Sequence, residues 1–397
     1  MDPSCNGNRW DSFIGFETNF LKMNQMKKPY QLKELCLEVT NSCPMHCKHC
    51  STRSVRLGTG SPLHMPISVA KKVVDDLATL GGRILEISGG EPLIYPDLLQ
   101  LCRHAAGLGI EVRIYTSGIL VDQRGILQRI AASQLELLKQ CGVTKIIFNL
   151  QGASSKSHQQ IMGVTGTHRL VIEAIRTAKE KGFWVGVHFV PMKPNFRELP
   201  HVVSLCSSLE VDELALLRFV PQGRGEENRD WLELNLDEFD ELFRSVVDLK
   251  RQHSNLNIRA GCPMDFLSLY DSEISPHSCK AGRCTCAIAP SGQVVPCPAF
   301  KNSPEFTAGN IYQQSLIEIW DNAFQNLREL QYKKISEPCR RCKVLDDCRG
   351  RCVAQRHILY GNIYEGPDPA CPKLLDQQMS DKNDHQTFNL AANLTGQ

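Results

Sequence analysis

The chain has 397 residues, enough to bury a large core, and that length suggests two or three domains. Hydrophobic content of 42% and charged content of 22% are globular values, and a formal net charge of +2 leaves no electrostatic footprint for nucleic acid or an anionic membrane. No run of about 18 apolar residues is available to span a bilayer, and the opening MDPSCNGNRWDSFIGFETNF lacks a signal peptide's basic flank and apolar run, so a cytoplasmic protein without membrane or nucleic-acid partners is expected.

Residues 1–33 have no clear period and read as an N-terminal arm. From 34 to 260 short β-rich runs alternate with longer amphipathic segments. Strands are predicted at 35–39, 84–88, 111–115, 145–150, 184–190 and 213–220. Helices are predicted near 68–80, 96–108, 126–140, 168–181, 197–208 and 237–251. Alternation of this kind implies a parallel sheet with helices outside it, hence an α/β fold. After 260 Cys, Pro and Gly become dense, and AIAPSGQVVP (287–296) reads as a β-hairpin turning at Ser291–Gly292. One amphipathic helix is predicted at 314–330, ahead of a Cys-rich run. Residues 261–376 therefore read as a small domain held by metal, and the polar tail 377–397 is expected to be disordered.

Eighteen cysteines without a secretion signal argue against a disulfide scaffold, because cytosolic thiols are held reduced. Their positions point to metal ligation. Cys43, Cys47 and Cys50 form C-x3-C-x2-C directly after the first strand. Cys279, Cys284, Cys286 and Cys297 form a second group, and Cys339, Cys342, Cys348 and Cys352 a third, followed by Cys371. Cys5, Cys36, Cys102, Cys141, Cys206 and Cys262 are scattered and read mostly as small core or surface thiols. Three thiolates so close together can wrap one face of a [4Fe–4S] cube and leave one iron open, as an inner-sphere substrate requires. Zinc is the alternative, with His46 or His49 as fourth ligand.

CPMHCKHC after the first strand resembles the signature of the radical S-adenosylmethionine (SAM) superfamily. The second strand runs into Ser88-Gly89-Gly90-Glu91-Pro92, which matches that superfamily's GGEP motif. The resemblance implies a partial (β/α)6 TIM-like barrel over 34–260. It implies that Cys43, Cys47 and Cys50 hold a [4Fe–4S] cluster whose fourth iron is chelated by SAM, and that Gly89, Gly90 and Glu91 hold the SAM amino group. Ser117, at the end of the third strand, and Asn149 and Gln151, where relatives carry Ser-Leu-Asp-Gly, are the further SAM contacts implied. Many relatives carry a carboxylate-binding Arg about ten residues later; here stand Gln160, Ile161 and Met162, with Arg169 as a substitute.

The C-terminal cysteines resemble the seven-cysteine pattern of the SPASM domain, which carries two auxiliary [4Fe–4S] clusters in relatives. Carried over, Cys339, Cys342, Cys348 and Cys371 hold one cluster and Cys279, Cys297 and Cys352 the other. Cys284 or Cys286 completes the second set, or its iron stays open. The implied chemistry is reductive SAM cleavage to a 5′-deoxyadenosyl radical, which abstracts a substrate hydrogen atom. A reductant such as flavodoxin or ferredoxin is then required. The expected substrate is a ribosomally synthesised peptide undergoing crosslinking or a related modification, recognised directly or through a separate leader-peptide-binding protein. A small-molecule dehydrogenation or rearrangement is the alternative, and a non-catalytic zinc protein the weakest. Sulfatase maturation is disfavoured, because Pro298 stands where those enzymes would place an acidic residue. His188, Met192, Arg218, Gln222, Gly223 and Arg224, at the ends of the fifth and sixth strands, are candidates to line a substrate cavity, with Arg218 or Arg224 as a carboxylate fork.

Overall fold

The computed structural model describes residues 30–275 and 278–375. Strands β1 (Glu34–Thr40), β2 (Ile84–Gly89), β3 (Glu111–Thr116), β4 (Val143–Asn149), β5 (Trp184–Phe189), β6 (Glu213–Leu216) and β7 (Asn257–Ala260) pair in parallel in sequence order. The connecting helices are α1 (Ile67–Thr79), α2 (Leu98–Gly107), α3 (Ala132–Gln140), α4 (Ser155–Met162), α5 (Thr167–Glu180), α6 (Leu199–Ser208) and α7 (Leu236–Gln252). On the far side of β1 the sheet continues through β8 (Thr285–Ile288), parallel, then β9 (Gln293–Val295) and β10 (Gly309–Asn310), antiparallel. The order is 7-6-5-4-3-2-1-8-9-10, so the barrel stays open between β7 and β10.

Alternation along the strands decides what faces what. Leu35, Leu37 and Val39 of β1, Leu85 and Ile87 of β2, and Val112 and Ile114 of β3 enter the main core beneath the helices. The opposite parity carries Glu38, Glu86 and Tyr115, with His188 on β5, onto the face away from the helices. Helix α5 supplies its share of the core through Val171, Ala174, Ile175 and Ala178, a stripe at helical spacing. Helix α7 starts at a capping box in which Asn235 accepts from Glu238 N and Glu238 returns to Asn235 N, both at 2.9 Å.

Several predicted elements differ. The helix expected from 126 begins at 132, because Leu127–Arg129 pairs antiparallel with Ile119–Val121. Asp122 closes that hairpin by accepting from Arg124 N and Ile126 N at 2.9 Å. The sixth strand stops at Leu216, short of 220, and β7 was not predicted at all. The helix expected over 314–330 is α8 (Leu316–Asn322) followed by a single turn at Gln325–Arg328. Between them Phe324 takes φ 65°, which folds its ring against Trp320 (centroids 6.0 Å apart) and ends the first helix. The hairpin at 287–296 forms as β8–β9. Within the Cys-rich run lie a single helical turn at Leu345–Cys348 and a longer helix, α9 (Val353–Tyr360).

Strand β7 ends at Ala260, and β8 joins the region beyond it to the barrel sheet through β1. Of the predicted arm only residues 30–33 are described; Leu32 is buried, and Tyr30 Oη donates to Arg328 O at 2.8 Å. The tail 377–397 lies outside the described residues. Among the described residues no helix is long and apolar enough to cross a membrane.

Candidate cluster and cofactor site

The loop carrying Cys43, Cys47 and Cys50 leaves the C-terminal end of β1 and is held from three sides. From the β2 end, Gly90 N donates to Thr40 O at 2.7 Å and Glu91 N to Ser42 O at 2.8 Å. A Cβ on Gly90 would stand 2.0 Å from Ser42 O, so the close approach admits only glycine. From the end of α4, Met162 O and Ile161 O accept from His46 N (3.3 Å) and Lys48 N (2.8 Å), and Gly163, at φ 70°, passes against His46 O. From the segment after β6 comes Arg224, whose backbone N donates to Cys50 O at 3.0 Å. Its guanidinium donates to Cys47 O (2.9 Å), Ser54 O (2.8 Å) and Ser54 Oγ (3.1 Å).

The three thiols feel one another's charge. Burial, then the charge of Cys47 and Glu91, pushes Cys43 up; burial and Cys50 push Cys47 up to about 12. Cys50 goes the other way: burial works against its thiolate, but Arg224 and the hydroxyls of Thr52 (3.2 Å) and Ser54 (3.5 Å) outweigh it. Gathering enclosed thiolates is unfavourable unless a cation compensates, and Arg224 supplies only part of that charge. Among the described residues no three His, Cys, Asp or Glu side chains are drawn together at the spacing of a single metal ion.

The cysteines around and after β8 assemble in two sets. Cys297 is pushed up by burial and by the neighbouring charges of Cys279 and Cys352. Cys339 rises to about 11 through burial and then Cys348, with Cys342 adding to it. Cys371 rises to about 12 through burial, with Cys348 and Cys339 as charged neighbours. Cys339, Cys342 and Cys371 line a mostly apolar cavity of about 540 Å³, walled by Pro338, Pro367 and Leu374. Cys284, also expected among the ligands, is disulfide-bonded here and offers no thiolate, whereas Cys286 is a buried free thiol on β8.

Residues 37–206 match the radical SAM superfamily, and residues 279–343 match SPASM, an iron–sulfur cluster-binding domain. The chain carries a radical SAM domain followed by a SPASM domain. It is 25% identical over 355 residues to the AdoMet-dependent heme synthase of Methanosarcina barkeri, covering 84% of this chain and 94% of that one. It is 27% identical over 357 residues to the PqqA peptide cyclase of Gluconobacter oxydans, covering 87% and 92%. Streptococcus suis SuiB bound to its precursor peptide SuiA shares the fold, with a TM-score of 0.68 at 20% identity, covering 86% of this chain and 76% of that one.

The two domains imply a SAM-binding [4Fe–4S] cluster and auxiliary iron–sulfur clusters. The donor sets fit these groups: three convergent thiols on a clamped loop, and a second set of which Cys339, Cys342 and Cys371 line an apolar cavity with Cys348 as a charged neighbour. The other SAM contacts expected of a radical SAM protein divide into two kinds. Gly89 and Gly90 lie where the β2 end meets the cysteine loop, so their backbone borders the site. The carboxylate of Glu91 faces inward instead, accepting from Ser117 N (2.8 Å), Ser117 Oγ (2.5 Å), Leu93 N (3.2 Å) and Thr116 Oγ1. Glu91 and Ser117 thereby brace each other's strands. Gln151 is fully buried; its Oε1 accepts from Val190 N at 3.0 Å and its Nε2 donates to Asn149 Oδ1. Asn149 is partly open, with Nδ2 4.0 Å from Met162 Sδ. Arg169 projects from α5 with its side chain 80% exposed beside Glu173.

The two candidate fork arginines have other partners. Arg224 is buried in the cysteine loop, and Arg218 is buried with Nη1 2.6 Å from Asp368 Oδ1 across the domain junction. Gln222 Nε2 donates to Ala299 O at 2.7 Å, Gly223 packs against Cys50 O, and Met192 lies in an apolar cluster with Ile161 and Phe219. The ring of His188 lies 5.1 Å from that of Tyr115, and burial together with Arg259 pushes it down to about 3. Sequence reasoning missed Arg224 as a clamp, and missed Glu38–Lys301 (2.5 Å), a second buried ion pair between the domains. No local signal marks either, because each partner lies more than a hundred residues away.

Proposed function

We propose that this radical SAM/SPASM protein is a maturase that modifies a ribosomally synthesised peptide. The observation that carries the reading is the combination, in one chain, of a clamped three-thiol loop at the mouth of an open barrel with two further thiol sets in the domain joined to it. The PqqA peptide cyclase relative supplies the peptide class. When bound, the SAM-ligated cluster supplies the 5′-deoxyadenosyl radical that takes a hydrogen atom from the substrate.

In this reading Cys43, Cys47 and Cys50 hold that cluster, and backbone groups of Gly89 and Gly90 receive the SAM amino group. Asn149, the partly open member of the strand-end set, remains available to SAM, while Glu91, Ser117 and Gln151 position the strand ends. Cys339, Cys342, Cys348 and Cys371 hold one auxiliary cluster and Cys279, Cys297 and Cys352 the other. Glu86, Tyr115 and His188 form the wall behind the loop: Tyr115 Oη donates to Glu86 at 2.6 Å, and neutral His188 adds no charge. In the same reading residues 34–260 form the barrel and 261–376 the SPASM domain. A flavodoxin or ferredoxin delivers the electron, the leader peptide is recognised by the barrel itself or by a separate protein, and the chain works in the cytoplasm.

The heme synthase relative favours one second reading, a small-molecule substrate. The test begins with anaerobically reconstituted protein, measuring iron, sulfide and dithionite-dependent 5′-deoxyadenosine. Peptides from short neighbouring reading frames are then added and followed by mass spectrometry. A peptide mass change in step with deoxyadenosine supports maturation. Deoxyadenosine that rises only with a small metabolite overturns the peptide reading, and zinc in place of iron overturns both.

A further inference from the structure

Two buried charges beyond β8 have no part in the reading so far. Arg356, on α9, is fully buried, and its Nη1 donates to Ile363 O and to Glu365 O (3.1 Å). Its Nε and Nη2 are equally buried and have no hydrogen-bond partner among the described residues. Orphaned donors of a buried guanidinium are costly, so this position makes sense where an acceptor arrives from outside the polypeptide. The charges around Arg356 are first Asp368, then Cys339 from one thiol set and Cys352 and Cys279 from the other.

Asp368 is the counterpart, 2% exposed. Its Oδ2 accepts from Cys352 N at 3.1 Å, and its Oδ1 accepts from Ala370 N at 2.9 Å, beside Cys371. The same Oδ1 stands 2.6 Å from Arg218 Nη1, which fixes the carboxylate in place. Its charge also reaches Cys339, Cys348 and Cys371, so it too faces both sets.

We propose that Arg356 and Asp368 are opposed fixed charges that set the reduction potentials of the two auxiliary clusters, the orphaned Nε and Nη2 hydrogens of Arg356 donating to cluster sulfur. This rests on the reading that the seven cysteines hold iron–sulfur clusters. Reduction adds negative charge to a cluster, and potentials follow net charge and hydrogen bonds to sulfur. The cation with its N–H donors therefore raises the potentials, and the carboxylate lowers them. Both are positioning residues, acting through the clusters.

The experiment is a redox titration followed by electron paramagnetic resonance. It uses full-length protein in a C43A/C47A/C50A background, so that only the auxiliary clusters respond. Arg356→Met should lower their potentials and Asp368→Asn should raise them. Each shift should alter the reduced-to-oxidised ratio at a fixed potential by about tenfold, about 59 mV for one electron. Arg356→Lys, which keeps the charge, should stay nearer the parent. Iron-loaded variants that titrate like the parent, or that shift in the same direction, overturn the proposal. If Arg356→Met loses iron, Asp368→Asn decides alone: an upward shift supports the assignment and an unshifted titration overturns it. A parent without iron and sulfide in its C-terminal domain would overturn the cluster reading as well, an outcome that metal analysis separates from unshifted potentials.

Discussion

Between residues 34 and 260 most of the strands and helices share one large apolar core, whereas from Tyr332 onward much of the buried apolar material forms small clusters such as Ile335, Cys339 and Leu345. The segment between them belongs to neither extreme. Cys286 and Ile288 of β8, Val294 of β9 and Trp320 of α8 all join the barrel core. The SPASM domain thus begins as an extension of the sheet and ends as a shell around thiols. Burial of side chains stabilises the first part, and ligation has to supply what the last part lacks.

The sharpest way to separate the two regions is at the first cluster. Replacing Cys43, Cys47 and Cys50 together by Ala should reduce 5′-deoxyadenosine formation to background while leaving about eight irons per chain in the C-terminal sites. Wild-type turnover would break the assignment of the loop, and loss of all iron would show that the regions do not load independently.

Removing iron by chelation under reducing conditions should act in the opposite place. Backbone amides over 332–371 should exchange faster by roughly a factor of 100, while those of β1 to β5 keep their protection. Hydrogen exchange with mass spectrometry reads this directly. Uniform loss of protection would mean that the barrel also depends on metal.

Acid should weaken the barrel first. Burial pushes His158 and His188 down to about 3, so both stay neutral in the folded protein while the unfolded chain protonates them near 6.5. The unfolded state then binds more protons, and stability falls as pH drops from about 6.5 toward 3. Each site should cost about 2 kcal/mol at pH 5. Urea midpoints at pH 7 and pH 5 measure this, and His158→Asn should flatten the dependence.

The smallest effect belongs to Arg169. Its ion pair with Glu173 is on the surface, at 3.6 Å, and Arg169→Ala should change stability by less than about 0.5 kcal/mol and leave SAM cleavage unchanged. A large rise in the SAM concentration needed for turnover would restore it as the carboxylate clamp.

Local rules made much of this molecule legible in its sequence. The alternation from 34 to 260 foretold the parallel sheet, because burial on one face leaves a period in the chain. The spacings of Cys43, Cys47 and Cys50 and of the later cysteines could be read because ligands of one cluster lie close together along the chain. The turn at Ser291–Gly292 was equally local: Gly292 takes φ 83°. Tertiary structure decided the rest. It turned Arg224 from an expected substrate fork into the clamp on Cys47 and Ser54, and it brought Arg218 to Asp368 across 150 residues of sequence. It also placed β8 beside β1, making the SPASM domain continuous with the barrel. A charged side chain carries no period and no spacing that names its partner, so its role emerges only once folding has chosen which distant groups it is buried against.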